Sequence, residues 1–147
     1  MDVAAQGGDS SVIFARHGLD GRVDMIVLNH LDNMAVASRV AGEARLYTAA
    51  GFRVVIMCDG IGIGAGVVSR LRQLGFDVID VQAAGRASDP LTYGNVRAEM
   101  HGRLREAIRR GLVLPQDDQL LEELRSVQAG FASDGRLMVE RKDMIRA

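Results

Sequence analysis

The chain has 147 residues, of which 48% are apolar and 25% are charged, and its formal net charge is -1. This composition is typical of one globular domain, and it excludes a disordered tail, a fibre and indiscriminate binding to polyanions. There is no run of about 18 apolar residues, and no basic N-terminal segment leads into an apolar one. The sequence therefore predicts neither a membrane span nor a secretory signal. The single cysteine, Cys58, fits a reducing compartment.

The first 28 residues predict three strands joined by glycine turns, with Val23, Met25 and Val27 on one face of the third. A helix then follows from a stripe of small apolar residues between Ala37 and Tyr47. The predicted elements in chain order are strands at 1–5, 11–15 and 22–28, a helix ending at Gly51, a strand at 54–57 buried on both faces, a helix at 65–74, and a strand at 76–81. The abrupt start at Met1 suggests a chain trimmed at its front.

The second half predicts two more helices and a last strand. The longer helix has an apolar stripe of Val96, Met100, Leu104 and Ile108 and ends at Gly111. A short helix follows Pro115, and residues 135–140 predict a strand or hairpin arm. The whole pattern predicts an α/β domain, with a mixed sheet flanked by helices. That sheet would consist of an antiparallel three-strand meander extended by parallel crossovers.

Two carboxylates stand where such a sheet is expected to bind a ligand. Asp59 ends an apolar strand just before a glycine loop, and Asp2 lies within the first apolar stretch. Ligands gather beyond the carboxyl ends of strands in open α/β sheets, so the two side chains converge if their strands are neighbours. Two close carboxylates need a cation between them, and oxygen ligands suit Mg²⁺ or Mn²⁺. Asp9 is an outer candidate ligand. The alternatives are a solvated terminal Asp2 and a turn or capping role for Asp59.

The loop Gly60–Gly66 gives a competing hypothesis, because glycines between a strand and a helix N-terminus can hold a pyrophosphate. Its alternating glycines differ from the G-x-G-x-x-G pattern of dinucleotide-binding folds, and the chain has no P-loop motif. Arginines supply nearly all of the positive charge, since only Lys142 among the 18 basic residues is a lysine. The arginines between residues 97 and 110 form a solvated face, which in a nuclease would hold phosphates.

These motifs, taken in order, resemble the nuclease domain of tailed-bacteriophage terminase large subunits. The matching residues extend over nearly the whole chain. They are Asp2–Ala4, Gly8-Asp9, Ser11–Ile13, Val55–Val68, Arg70-Leu71, Gly85–Ala87, Tyr93, Asn95, Arg97–Met100, Leu120–Leu124, Gly135–Leu137, Glu140 and Lys142-Asp143.

The resemblance implies a ribonuclease H-like fold and a metal-dependent endonuclease that cuts concatemeric double-stranded DNA by two-metal hydrolysis during genome packaging. It implies that Asp2 and Asp59 are the catalytic metal ligands, for Mg²⁺ or Mn²⁺. Arg97, Arg105 and Lys142 would contact DNA. The implied partners are double-stranded DNA and, in the full protein, the portal and the terminase small subunit, with no membrane. The implied location is the cytoplasm of the bacterial host.

Residues 1–147 are interpreted as one terminase-type nuclease domain, without the upstream ATPase domain and without the C-terminal end of the nuclease. The family places a third catalytic carboxylate in that end, so impaired activity is expected. Two other hypotheses remain open. One is a nucleotide-binding α/β module that uses the Gly60–Gly66 loop, and the other is a non-catalytic DNA-binding prophage remnant.

Overall fold

The computed structural model describes residues 1, 3, 10–62 and 64–140. Within them the chain is α/β, as predicted. The elements are β1 (Ser11–Ile13), β2 (Ile26–Leu28), α1 (Asn33–Ala49), β3 (Ile56–Asp59), α2 (Gly64–Gln73), β4 (Val78–Val81), α3 (Val96–Arg109), α4 (Asp118–Ser126), β5 (Ala129–Phe131) and β6 (Leu137–Val139). The chain forms two compact units. The first contains Met1–Ala15 and Met25–Gln82, and the second contains Arg16–Asp24 and the described residues from Ala83 onward.

The core of the first unit lies between its two longer helices and the β3–β4 pair. β3 and β4 are parallel, and Ile56 is in register with Val78 and Asp59 with Val81. Leu71 of α2 is fully buried. The apolar stripe of α1 is buried as predicted, since small residues let the helix lie close to its neighbours. The core residues on α1, β3, α2 and β4 are Val36, Ala37, Val40, Ala41, Ala44, Ile56, Cys58, Val67, Val68, Leu71 and Val78.

The ends of α1 follow from local hydrogen bonding. Asp32 is the N-cap, and its side chain accepts a hydrogen bond of 2.8 Å from the Ala35 backbone N–H. At the other end, the Phe52 N–H donates to the Tyr47 carbonyl at 3.0 Å. These contacts satisfy backbone groups that a helix leaves free at its ends.

In the described part of the chain, the antiparallel pairing is shorter than predicted. β1 pairs antiparallel with β2, but β2 begins only at Ile26, and residues 16–24 belong to the second unit. Val23 therefore precedes the strand on which it was predicted, and Val23 and Val27 are 48% and 53% exposed. Most of the predicted first strand lies outside the described residues, so the three-strand meander is not confirmed. The described strands form separate pairs, β1–β2, β3–β4 and β5–β6.

The prediction that the strand at 54–57 is buried on both faces is wrong. Ile56 and Cys58 point into the core, whereas Met57 on the other face is 51% exposed. Its partner in the β3–β4 register, Ile79, is 47% exposed. One face of this strand pair therefore packs on the helices, and the apolar side chains of the other face remain accessible. An apolar run alone does not reveal how many faces a strand buries.

The second unit is built around α3, whose buried face differs from the predicted stripe. Ala98, Glu99 and Gly102 are buried, while Met100 and Ile108 are 48% and 45% exposed. The ring of Tyr93 occupies the space that a side chain at Gly102 would fill. Small residues thus create the contact surface of α3, because they let an aromatic ring approach the helix backbone. The apolar residues at i+4 spacing therefore predicted the wrong face of α3 as the buried one.

A β-hairpin and a short helix complete the second unit. β5 and β6 are antiparallel, so the predicted last strand is confirmed and its partner is Ala129–Phe131. Asp117 caps α4 by accepting a hydrogen bond of 2.8 Å from the Leu120 N–H. Within the described residues, no helix combines the length and apolar character needed to cross a bilayer.

Candidate metal centre

Asp59 is the last residue of β3, at the point where the strand gives way to the loop before α2. Its side chain is half-buried, and one oxygen, Oδ1, accepts a hydrogen bond of 3.0 Å from the Ile61 backbone N–H. Within the described residues its second oxygen, Oδ2, makes no hydrogen bond. The turn therefore fixes the carboxylate through one of its two oxygens.

The start of the chain lies beside β3. The Met1 nitrogen donates to the Met57 carbonyl at 2.6 Å, and the Asp59 N–H contacts the Met1 carbonyl at 3.4 Å. This alternation is the hydrogen-bond pattern of parallel backbones. Met1 and Val3 also pack against the core of the first unit. The predicted ligands Asp2 and Asp9 lie outside the described residues.

Two glycines of the following loop are required by close packing. A side chain at Gly64 would collide with the Asp59 carbonyl oxygen, so α2 can begin there only without a Cβ. A side chain at Gly60 would collide with the carboxylate of Asp80. The glycines therefore let the chain turn tightly from β3 into α2, close to Asp59.

The same geometry disfavours the nucleotide-binding hypothesis. Asp59 already accepts the Ile61 N–H, one of the donors that a phosphate would need. The carboxylate of Asp80 lies against Gly60. Two negative side chains next to the loop repel a pyrophosphate.

Asp80 is a carboxylate that the sequence interpretation missed. It is in register with Cys58, and Gln82 Nε2 donates to both of its oxygens at 3.1 Å. Because side chains alternate along a strand, Asp80 and Asp59 stand on opposite faces of the β3–β4 pair. Asp80 therefore does not complete a site on the face of Asp59. Across the described part of the chain, no group of three or more His, Cys, Asp or Glu side chains is placed to hold a metal ion.

The predicted DNA-contacting arginines lie on α3 of the second unit. Arg105 is exposed, whereas Arg97 is half-buried, and the buried Nε of Arg97 has no hydrogen-bond partner among the described residues. Partial burial lowers the pKa of the neighbouring His101, and the positive charge of Arg97 lowers it further. Lys142 lies outside the described residues.

Glu99 is a second carboxylate that the sequence interpretation left without a role. It is only 6% exposed, and its pKa is lowered by hydrogen bonds from the Ser88 hydroxyl and N–H and by Arg103. A carboxylate at i and an arginine at i+4 on one helix is a signal that could have identified the pair.

Acidification is expected to destabilise the second unit. The hydrogen bonds that Arg22 donates lower the pKa of Asp20 from 3.8 to about 2, and the pKa of Glu99 lies below its ordinary 4.5. Both groups bind protons more readily in the unfolded chain, so their stabilising effect is complete above pH 4.5 and is lost as the pH falls through the folded-state pKa values. Urea unfolding between neutral pH and pH about 3 should show this loss, with a shallower pH dependence in Glu99→Gln. A Glu99→Gln curve parallel to wild type would contradict the assignment.

Several known structures with a similar fold are nuclease domains of large terminase subunits from bacterial viruses. The nuclease domain of the large terminase subunit of bacterial virus Sf6 matches with a TM-score of 0.74 and 18% identity, over 99% of this chain and 77% of that one. The fold is that of a large-terminase nuclease domain. A mutant of the Sf6 nuclease domain with manganese matches with a TM-score of 0.66 and 18% identity, over 92% of this chain and 74% of that one.

The large terminase nuclease of thermophilic phage G20c, with bound magnesium, matches with a TM-score of 0.56 and 17% identity, over 79% of this chain and 56% of that one. No protein-family model and no curated protein matches the sequence. The resemblance found in the sequence motifs is therefore confirmed through the terminase nuclease fold.

Proposed function

We propose that this chain is the metal-dependent endonuclease domain of a phage DNA-packaging terminase, which cuts concatemeric double-stranded DNA by phosphodiester hydrolysis. The observation that carries the proposal is the position of Asp59. In a fold shared with terminase nuclease domains, it ends a parallel strand beside the backbone of Met1 and keeps one oxygen without a hydrogen bond in the described residues. Mg²⁺ or Mn²⁺ is the proposed cofactor, in a two-metal arrangement.

One described carboxylate, Asp59, has the donor chemistry that a divalent ion prefers. Asp59 supplies a charged oxygen, and Asp2 is the proposed second ligand because Met1 and Val3, its chain neighbours, pack against the unit that contains β3. Asp9 is proposed as an outer member of the set. Carboxylate oxygens are the ligands that Mg²⁺ and Mn²⁺ prefer. When bound, such ions acidify water and stabilise charge on the transferring phosphate.

The chain's own residues then have two tasks in this proposal. Asp59, held by the Ile61 N–H, keeps its carboxylate in one orientation, so little ordering is needed when a ligand binds. Arg97, Arg105 and Lys142 are proposed to contact DNA phosphates, since guanidinium and ammonium groups donate to phosphate oxygens. In a complete terminase within the host cytoplasm, the portal and the small subunit are the proposed protein partners.

The proposal is tested by titrating the chain with Mn²⁺ in a calorimeter and by incubating it with plasmid DNA and Mn²⁺. With two carboxylate ligands, we expect a Kd on the order of 1 mM and slow cleavage that EDTA stops. A thermal-shift response to dinucleotides without a response to Mn²⁺ would favour the nucleotide-binding module instead. DNA binding with neither Mn²⁺ binding nor cleavage would favour a non-catalytic remnant.

A further inference from the structure

The second unit contains a buried carboxylate, Glu99, that the proposed metal site does not use and that pairs with an exposed arginine. The Glu99 side chain of α3 is 8% exposed and contacts Arg103 at 2.6 Å, one helical turn further on. The same carboxylate accepts a hydrogen bond of 2.6 Å from the Ser88 N–H and a second from the Ser88 hydroxyl. Arg103 in turn donates to the Ser88 hydroxyl at 3.1 Å. Three residues thus close a small network in which every bond involves a charged group.

This network fixes the loop of residues 83–88 to α3. At the C-terminal end of the loop, Glu99 accepts hydrogen bonds from Ser88. At its N-terminal end, the first N–H groups of α3 donate to the loop carbonyls. The Val96 N–H donates to the Gly85 carbonyl at 3.0 Å, and the Arg97 N–H donates to the Ala83 carbonyl at 2.9 Å. Ala87, between these anchors, is only 5% exposed. The loop is therefore tied to the helix on both sides of Arg86.

Two arginines are presented by this arrangement. Arg86 is exposed between the anchors of the loop, and the side chain of Arg103 is 65% exposed although its guanidinium is held by Glu99. Guanidinium groups donate in a planar fork that matches phosphate oxygens. An arginine whose orientation is already fixed loses less conformational entropy when it binds an anion.

We propose that Glu99 is a positioning residue for DNA binding, which holds Arg103 and the Arg86 loop as one cationic surface for the phosphate backbone of double-stranded DNA. The inference rests on the proposed nuclease function for its ligand. It adds a DNA-contacting surface formed by Arg86 and Arg103 to the arginines already proposed on α3.

Because Glu99 is negatively charged, its role can be tested by whether its removal weakens or strengthens DNA binding. Removing a carboxylate beside arginines makes the surface more positive, so electrostatics alone predicts tighter DNA binding. If Glu99 acts by holding the arginines in place, its removal weakens binding in spite of the added positive charge. The salt dependence separates the two cases as well, because its slope reports how many phosphates are neutralised.

The experiment measures fluorescence anisotropy of a short labelled DNA duplex in EDTA, over a series of KCl concentrations, with the 147-residue chain. We expect Arg86→Ala and Arg103→Ala each to make the negative slope of log K against log salt shallower by about 1. Glu99→Gln should weaken binding roughly 3- to 10-fold and also make the slope shallower. The matched control is Arg53→Ala, which removes one positive charge from an exposed pair with Asp77 in the first unit and should leave the affinity close to that of the wild-type chain.

Binding by folded Glu99→Gln that equals or exceeds wild type would overturn the proposal, as would an unchanged salt slope. If that variant does not fold, Ser88→Ala replaces it, because it removes the hydroxyl that bonds both Glu99 and Arg103 while keeping both charges. Ser88→Ala should weaken binding roughly twofold, and wild-type affinity would overturn the proposal. Mn²⁺ titration of Glu99→Gln should match wild type. If the wild-type chain does not bind Mn²⁺ but its DNA binding depends on Glu99, only the proposed nuclease function is refuted.

Discussion

Asp59→Asn is expected to abolish measurable Mn²⁺ binding and to slow DNA cleavage by about 100-fold or more, with the fold retained. The asparagine side-chain oxygen can still accept the Ile61 N–H, so the turn after β3 remains satisfied. The variant loses only the negative charge that attracts a divalent cation. A loss of Mn²⁺ binding in this variant therefore reports on the metal site and not on unfolding.

The measurement is a calorimetric Mn²⁺ titration together with plasmid cleavage, checked by a thermal melt. Asp77→Asn is the matched control, because Asp77 is an exposed carboxylate of the same unit, 3.5 Å from Arg53, and the variant changes the net charge equally. This control should bind Mn²⁺ and cleave DNA as wild type does. A Mn²⁺ heat that persists in Asp59→Asn would remove Asp59 from the site.

Gly64→Ala is expected to lower the free energy of unfolding by about 2–3 kcal/mol. The added Cβ would overlap the carbonyl oxygen of Asp59, a backbone atom that cannot rotate away. Either β3 or the start of α2 must shift, and the shift displaces the Asp59 side chain as well. We therefore expect weaker Mn²⁺ binding in the folded protein, in addition to the lower stability.

Gly42→Ala provides the comparison for this substitution. Gly42 lies within α1 of the same unit, and a side chain there would meet no atom of the described residues within 4 Å. Since alanine is a better helix former than glycine, this variant should have a free energy of unfolding about 0.5–1 kcal/mol higher than wild type. Urea unfolding of both variants measures the difference. A Gly64→Ala protein as stable as Gly42→Ala would show that the turn tolerates a side chain.

The first unit could largely be predicted from the sequence because its signals are local. The stripe of Ala37, Val40, Ala41 and Ala44 has helical periodicity, and all four residues are buried. The position of Asp59 at the end of a strand followed from the change from β-branched residues to glycine. The steric role of Gly64 did not, because no sequence pattern reveals that a carbonyl oxygen lies where its side chain would be.

The second unit was harder to predict because its packing depends on residues that sequence patterns treat as neutral or polar. Gly102 and Ala98 form the contact surface of α3 where Met100 and Ile108 seemed better candidates. Glu99 is buried because Ser88 and Arg103 satisfy its carboxylate, and Ser88 lies in a loop that periodicity does not describe. Burial of a charge depends on partners distant in sequence, which the spacing of apolar residues along a helix cannot show.

Residues 16–24 belong to the second unit although the chain on both sides of them belongs to the first, and this affects how the protein can be divided into fragments. This segment bonds to Val113 through Gly21, at 2.9 Å, yet it is joined at both ends to the unit that contains β1 and β2. A protease cut between Gln82 and Ala83 would leave the fragment from Ala83 onward without one of its own backbone partners. Fragments made at that junction should complement each other when mixed and lose cooperativity when studied apart, so dissection of this protein requires both pieces in the same tube.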